Sequence, residues 1–166
     1  MSRPDDLREL SGEIRRHLEV SEELIAALRR IIADDVPRIG RSTTTSLAVA
    51  GLIENYYTAL ETVLFRVSQD FGNSLDPERW HSDLLRRMTI AVPDVRPAVI
   101  TPATHAMLDE LMRFRHFKRY YFQLDYDWNR LDYLTGLLER VRPHVDAELT
   151  AFDAFLGELI ESISTS

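Results

Sequence analysis

Apolar residues recur along this chain every third or fourth position, and few segments alternate with the period of two that a strand requires. That rhythm is the strongest constraint on its fold. In the first third, Leu7, Leu10, Ile14, Leu18, Ile25, Leu28, Ile32 and Val36 step mostly by three, four or seven, which stacks them on one helix face. Pro4 suits a first helical turn and Gly40 a C-terminal stop, so residues 4–39 are predicted as one long helix. Pro37 falls in its last turn and should fray or bend it.

The rhythm resumes after the polar run Ser42 to Thr45, which offers several N-caps. Leu47, Ala50, Ile53, Tyr57, Leu60, Leu64 and Val67 form the next stripe, ending near Gly72–Asn73. Two long helices joined by so short a turn read as an antiparallel hairpin. Asp76-Pro77-Glu78 combines a cap, a first-turn proline and an acid at the positive end of the dipole, predicting a short helix to about Ala91. Residues 92–100, with Pro93 and Pro97, should be an irregular loop. Thr101-Pro102 starts another helix, Gln123 to Asp127 should break it, and a last helix should run from near Asp127 to about Ser162. Its stripe includes Leu131, Leu134, Leu138, Val141, Val145, Leu149, Phe152, Leu156 and Leu159; Pro143 inside it predicts a kink or two successive helices. With no repeat and no shift in composition, residues 1–166 are expected to form one all-α domain, an antiparallel bundle of four main helices plus a short one.

Composition narrows the function. A 45% hydrophobic content supplies a real core. Twenty basic against 27 acidic residues give a net charge of −7, which argues against a surface that grips nucleic acid throughout but leaves room for a local basic site. The absence of cysteine excludes disulfides, thiolate metal sites and cysteine nucleophiles. The charged opening MSRPDDLREL has no secretory apolar core, and no stretch approaches 18 consecutive apolar residues, so a cytoplasmic chain with no membrane segment is expected.

The densest gathering of reactive side chains is Arg113-Phe114-Arg115-His116-Phe117-Lys118-Arg119-Tyr120-Tyr121. On a helix Arg115 and Arg119 are four apart and share a face, and His116 lies three from both Arg113 and Arg119. Guanidinium forks suit phosphate oxygens, and imidazole exchanges a proton near neutral pH. Together they can bind a phosphate and act on a ribose hydroxyl beside it; the alternative is a solvated basic face balancing the acidic excess. Glu54 and Glu61, two turns apart, either sit exposed at the stripe's edge or reach across the bundle to Arg115 or Arg119. Glu78 and His81 form a single Glu-x-x-His, half of what a carboxylate di-iron bundle needs. His17, His105 and His144 lack ligand spacing and read as surface or packing residues. No phosphate loop or nucleophile elbow occurs, so no cofactor or metal is expected.

The run Leu111 to Tyr121, continuing through Leu124-Asp125-Tyr126-Asp127-Trp128, resembles the signature of HepT-like proteins of the HEPN superfamily. Upstream, Glu54-Asn55-Tyr56-Tyr57 with Glu61, Trp80-His81-Ser82-Asp83-Leu84-Leu85 and Arg96-Pro97 follow in the order of that group, so the resemblance covers roughly residues 45–135. It implies a four-to-five-helix bundle, usually a homodimer. It also implies the toxin component of a toxin–antitoxin pair, a metal-independent ribonuclease controlled by a small nucleotidyltransferase antitoxin of the MNT type. In some members that antitoxin attaches AMP to a tyrosine near the active motif. The usual motif is an arginine followed, after four to six residues, by a histidine. Here none of the five histidines has an arginine five to seven positions before it, and from Arg115 the four-residue spacing lands on Tyr120.

The resulting expectation places Arg115, His116 and Arg119 in a catalytic site for RNA at a local basic patch. Arg113, Lys118, Tyr120 and Tyr121 would bind substrate, the tyrosines by stacking on a base or by serving as the modified group. Two other expectations stand beside it. One is a non-enzymatic dimeric partner that binds, or is AMP-modified by, such an antitoxin. The other is a helical bundle with no toxin role.

Overall fold

A computed structural model describes residues 4–71, 80–121 and 124–165, with the side chain of Tyr121 left aside. The helices are α1 (Pro4–Arg30), α2 (Val36–Ile39), α3 (Thr43–Asp70), α4 (Trp80–Arg87), α5 (Pro102–Tyr121) and α6 (Trp128–Ser164). Four are long and α4 is short, the all-α bundle that the apolar rhythm predicts. The expected helix start at Asp76-Pro77-Glu78 lies outside the described residues, as does Gln123, while residues 124–127 are non-helical, where the break from Gln123 to Asp127 is expected.

Contacts between helices fix their directions. Glu9 and His17 of α1 meet Arg66 and Tyr56 of α3, so the two run antiparallel. Glu61 and Glu54 of α3 meet Arg115 and Lys118 of α5, and Thr104 and Glu110 of α5 meet Glu148 and Tyr133 of α6, which repeats the reversal twice. The chain therefore runs up, down, up and down around one apolar core. Leu10, Ile14, Ile53, Leu60, Leu111, Leu134 and Val141 are wholly buried in it. Truncating one such leucine to alanine costs about 2–5 kcal/mol, the lost transfer energy plus the cavity.

Local chemistry accounts for the helix ends. Residues 4–39 form one continuous helical run, but Ile31–Asp35 widen into a π turn that closes on a Val36 N–H to Ile31 carbonyl bond. Pro37 has no N–H to return to Ala33, and slipping the ladder by one residue absorbs that gap. Gly40 then ends the run at φ 76°, where only glycine is unstrained, its N–H 2.9 Å from the Val36 carbonyl. Ser42 is the cap of α3: its Oγ accepts from the Thr45 N–H while Thr45 Oγ1 accepts from the Ser42 N–H. Asp127 caps α6 by accepting from the Asn129 N–H at 3.0 Å, and α6 passes through Pro143 as one helix rather than two.

The short helix ends earlier than predicted, at Arg87 rather than near Ala91. The cause is Arg96, buried in the following loop. Its guanidinium donates to the carbonyls of Ile90 and Pro97, both at 3.0 Å, and of Arg87 at 3.2 Å. One of these carbonyls, that of Arg87, is at the end of α4, and the other two lie in the loop, so a single side chain ties the helix end to the turn that follows. Arg96 thus folds the loop 88–100 onto α4 and fixes the angle at which α5 departs.

Candidate functional site

Glu61, His81 and Arg115 meet where α3, α4 and α5 converge. The sequence places Glu61 on the core face of α3, between Leu60 and Val63–Leu64, so its carboxylate enters the bundle already desolvated. Two partners hold it. Arg115 Nη2 lies 3.0 Å from Oε1, and His81 Nδ1 lies 2.7 Å from Oε2. Arg115 also donates from Nε to Thr58 Oγ1 at 3.1 Å. The Glu61 and Arg115 side chains are only 5% and 6% exposed, whereas that of His81 is 31% exposed. The indole of Trp80 stacks on the imidazole with ring centroids 3.6 Å apart. Below the pair, burial pushes the Tyr57 hydroxyl up, with the Glu61 charge adding to it, so that phenol stays protonated.

This geometry divides the expected trio. Arg115 points into the α3–α5 interface. One residue later the helix has turned by about 100°, so His116 faces solvent. Among the described residues its ring meets that of Tyr120, at 4.5 Å between centroids. Arg119 is also exposed, and no ion pair is found for it among the described residues. Of the other expected residues, Arg113 is exposed and pairs with Asp109 at 2.7 Å, Lys118 pairs with Glu54 at 2.6 Å, and Tyr120 is 66% exposed. Of the two readings left open for Glu54 and Glu61, the structure shows the reach across the bundle, Glu61 to Arg115 and Glu54 to Lys118 rather than to Arg119.

A groove between α4 and α5 lies beside the convergence. Ser82, Arg86 and Arg87 line one wall, His105 and Arg113 the other, around about 580 Å³. Asp83 pairs with Arg86 and Arg87, and Asp109 with Arg113, so three guanidinium groups share two carboxylates and the groove keeps a positive excess.

The model of the HepT-like protein family matches residues 48–156, about two thirds of the chain. The chain belongs to the HepT-like family. No curated protein and no solved structure matches it. The matched span of this HepT-like chain contains all three residues of the convergence and the whole groove. Sequence reasoning missed the contact of His81 with Glu61; its spacing reading took His81 as the second half of a Glu-x-x-His. The signal was there in two parts: an acid on the buried stripe of α3, and Trp80-His81 among the blocks that carry the resemblance. Among the described residues no helix is long and apolar enough to cross a membrane.

Proposed function

We propose that this HepT-like chain is the toxin component of a toxin–antitoxin pair, that it cleaves RNA without a metal, and that a nucleotidyltransferase-type antitoxin controls it. The observation that supports this reading is the α4–α5 groove, a local cationic surface on a chain of net charge −7. Arg86, Arg87 and Arg113 can exchange their carboxylate partners for phosphate oxygens, which bind the same guanidinium forks. Their charge then stabilises the pentacoordinate transition state while an imidazole moves the proton. Arg115 does not touch substrate in this reading; it holds α5 against Glu61. The test is cleavage of a short single-stranded RNA in EDTA. Wild type should cleave, and Arg86→Ala/Arg113→Ala should lose most of the rate. An inert wild type overturns the reading.

A second reading rests on Tyr120, which stands exposed against His116 at the end of α5. In it the chain does no chemistry, and α5 docks the antitoxin and accepts AMP on Tyr120. A mass increase of one AMP after incubation with a nucleotidyltransferase partner and ATP, absent in Tyr120→Phe, would favour it. Exposed Phe117, Tyr120 and Leu124 near one another in the chain support a homodimer in either reading, which sedimentation can test.

A further inference from the structure

We propose that His105, on the α5 wall of the groove, is the imidazole that performs the acid–base step on RNA. The proposal rests on the metal-free ribonuclease reading and names the catalytic group within it.

Three observations carry it. First, His105 lines the groove together with Arg86, Arg87 and Arg113. Of the chain's five histidines it alone is among the described lining residues. On α5 it stands one turn before Asp109 and two before Arg113, so the three share the face that looks into the groove. Second, the course of α4 brings arginines opposite it. Near the start of α4, His81 shares Glu61 with Arg115, far along α5. Just past its end, the Met88 carbonyl accepts from the N–H groups of Val99 at 2.8 Å and Ile100 at 3.2 Å, where α5 is about to begin at Pro102. The two helices are therefore antiparallel, and the last turn of α4, with Arg86 and Arg87, lies beside the first turns of α5, with His105. Third, Arg113 leans back towards the same place. Its guanidinium is 2.7 Å from the Asp109 carboxylate, a turn nearer His105 than its own backbone. From Asp109 to His105 the helix rises only about 6 Å, a span that one phosphate and the ribose before it can bridge.

The His105 ring is half-buried, and no hydrogen bond or ion pair engages it among the described residues, so a ring nitrogen is open to substrate. Spacing along the chain gives His105 no partner for chemistry; α4 supplies the partners. The other candidates face elsewhere. His116 meets Tyr120 on the exposed side of α5. His81 turns to Glu61, away from the groove. Arg115 holds that carboxylate rigidly, and through it His81 and the first turn of α4, so the buried cluster sets the groove wall without touching substrate.

The step balances without a co-reactant other than water. The neutral His105 imidazole takes the proton of a ribose 2′-hydroxyl. The 2′-oxygen bonds to the adjacent phosphorus as the bond from phosphorus to the 5′-oxygen breaks. The leaving 5′-oxygen takes a proton from water and the imidazolium returns its own to water, leaving a 2′,3′-cyclic phosphate and a 5′-hydroxyl. Arg86 and Arg113 hold the nonbridging oxygens.

The experiment compares wild type, His105→Ala, His105→Gln and His116→Ala on a single-stranded RNA oligonucleotide in EDTA. A 2′-deoxy version is the control for attack by the 2′-oxygen, and thermal melting checks the fold. His105 is half-buried on the first turns of α5, so at least the closer-sized His105→Gln should melt near wild type. Both His105 variants should lose about a hundredfold or more in kcat with KM within about threefold. Added imidazole should restore part of the rate to His105→Ala, a rescue that a packing defect does not give. If wild type cleaves and the folded His105 variants keep its kcat, or lose rate through KM alone, the assignment to His105 is overturned while the ribonuclease reading stands. Loss of kcat in His116→Ala but not in His105→Ala overturns it in favour of His116. If wild type leaves the RNA intact, the assignment and the ribonuclease reading fall together.

Discussion

Two histidines in this bundle meet burial in opposite ways. His81 enters the α3–α4–α5 convergence with a carboxylate on one nitrogen and an aromatic ring on its face. His17 on α1 lies almost fully buried against α3, and neither ring nitrogen has a hydrogen-bond partner among the described residues; its ring meets that of Tyr56 at 6.2 Å between centroids. Burial alone lowers the His17 pKa from 6.5 to about 4, so it is a neutral packing group at physiological pH. The contrast separates a histidine that fills space from one that a charged partner holds in place.

The largest expected effect breaks the partnered side of that contrast. Glu61→Ala strands the Arg115 guanidinium, 6% exposed, without its counter-charge. Urea denaturation should register a loss of about 3–5 kcal/mol. Replacing both partners, Glu61→Leu with Arg115→Met, should cost much less than either change alone, because no unpaired charge then remains. A Glu61→Ala loss below about 1 kcal/mol would mean that the pair is solvated and the convergence loose.

The unpartnered side responds to acid. The folded His17 pKa lies below its unfolded value, so folding excludes a proton that the unfolded chain binds. Above pH 6.5 neither state binds it and there is no penalty. As pH falls from 6.5 towards 4 the unfolded chain gains a proton that the folded chain does not, and stability falls by about 3 kcal/mol. His17→Leu should remove that part of the acid slope, seen as a smaller difference in unfolding free energy between pH 7 and pH 4. An unchanged slope would show that His17 titrates normally.

Arg96 sharpens the comparison with a third solution, a buried cation whose two terminal nitrogens donate to neutral carbonyls rather than to an acid. Burial lowers its pKa. Arg96→Ala should cost about 2 kcal/mol, since the carbonyls of Arg87, Ile90 and Pro97 lose their donor together. Increased hydrogen exchange in loop 88–100 is the more specific readout; unaltered exchange there would show that other bonds hold the loop.

These three sites also mark where the sequence could be read. Helix number, direction and faces were legible because apolar spacing encodes them locally: Leu10, Ile14, Ile53 and Leu134 all lie where the stripes put them. The Glu61–Arg115 contact was one of two readings left open by spacing, which puts Glu61 beside the apolar stripe but does not say whether it stays at the edge or crosses to α5. The direction of His116 was hidden. Spacing says that Arg115 and Arg119 share a face, but not which face packs against α3, and that choice sends Arg115 inwards and His116 out. The reach of His81 to Glu61, across twenty positions, follows from where α4 docks, which no local pattern records. The π turn at Ile31–Asp35 likewise reflects a backbone slip around Pro37 that leaves no mark in the apolar rhythm.

The smallest expected effect isolates burial within a single interface. Glu54–Lys118 and Glu61–Arg115 join the same two helices two turns apart on α3. Their separations are similar, 2.6 Å and 3.0 Å, but the Glu54 and Lys118 side chains are 19% and 23% exposed. Water that reaches the outer pair screens its attraction and can resolvate either partner left alone. A double-mutant cycle with Glu54→Ala and Lys118→Ala should therefore give a coupling of about 0.5–1 kcal/mol, weakened further by salt. The inner pair should respond little to salt, because its charges are compensated where ions do not enter. If the outer coupling matched the inner one, exposure would not be what distinguishes them. The rigidity assigned to the Glu61 carboxylate would then belong to the whole α3–α5 interface rather than to the buried end that holds His81.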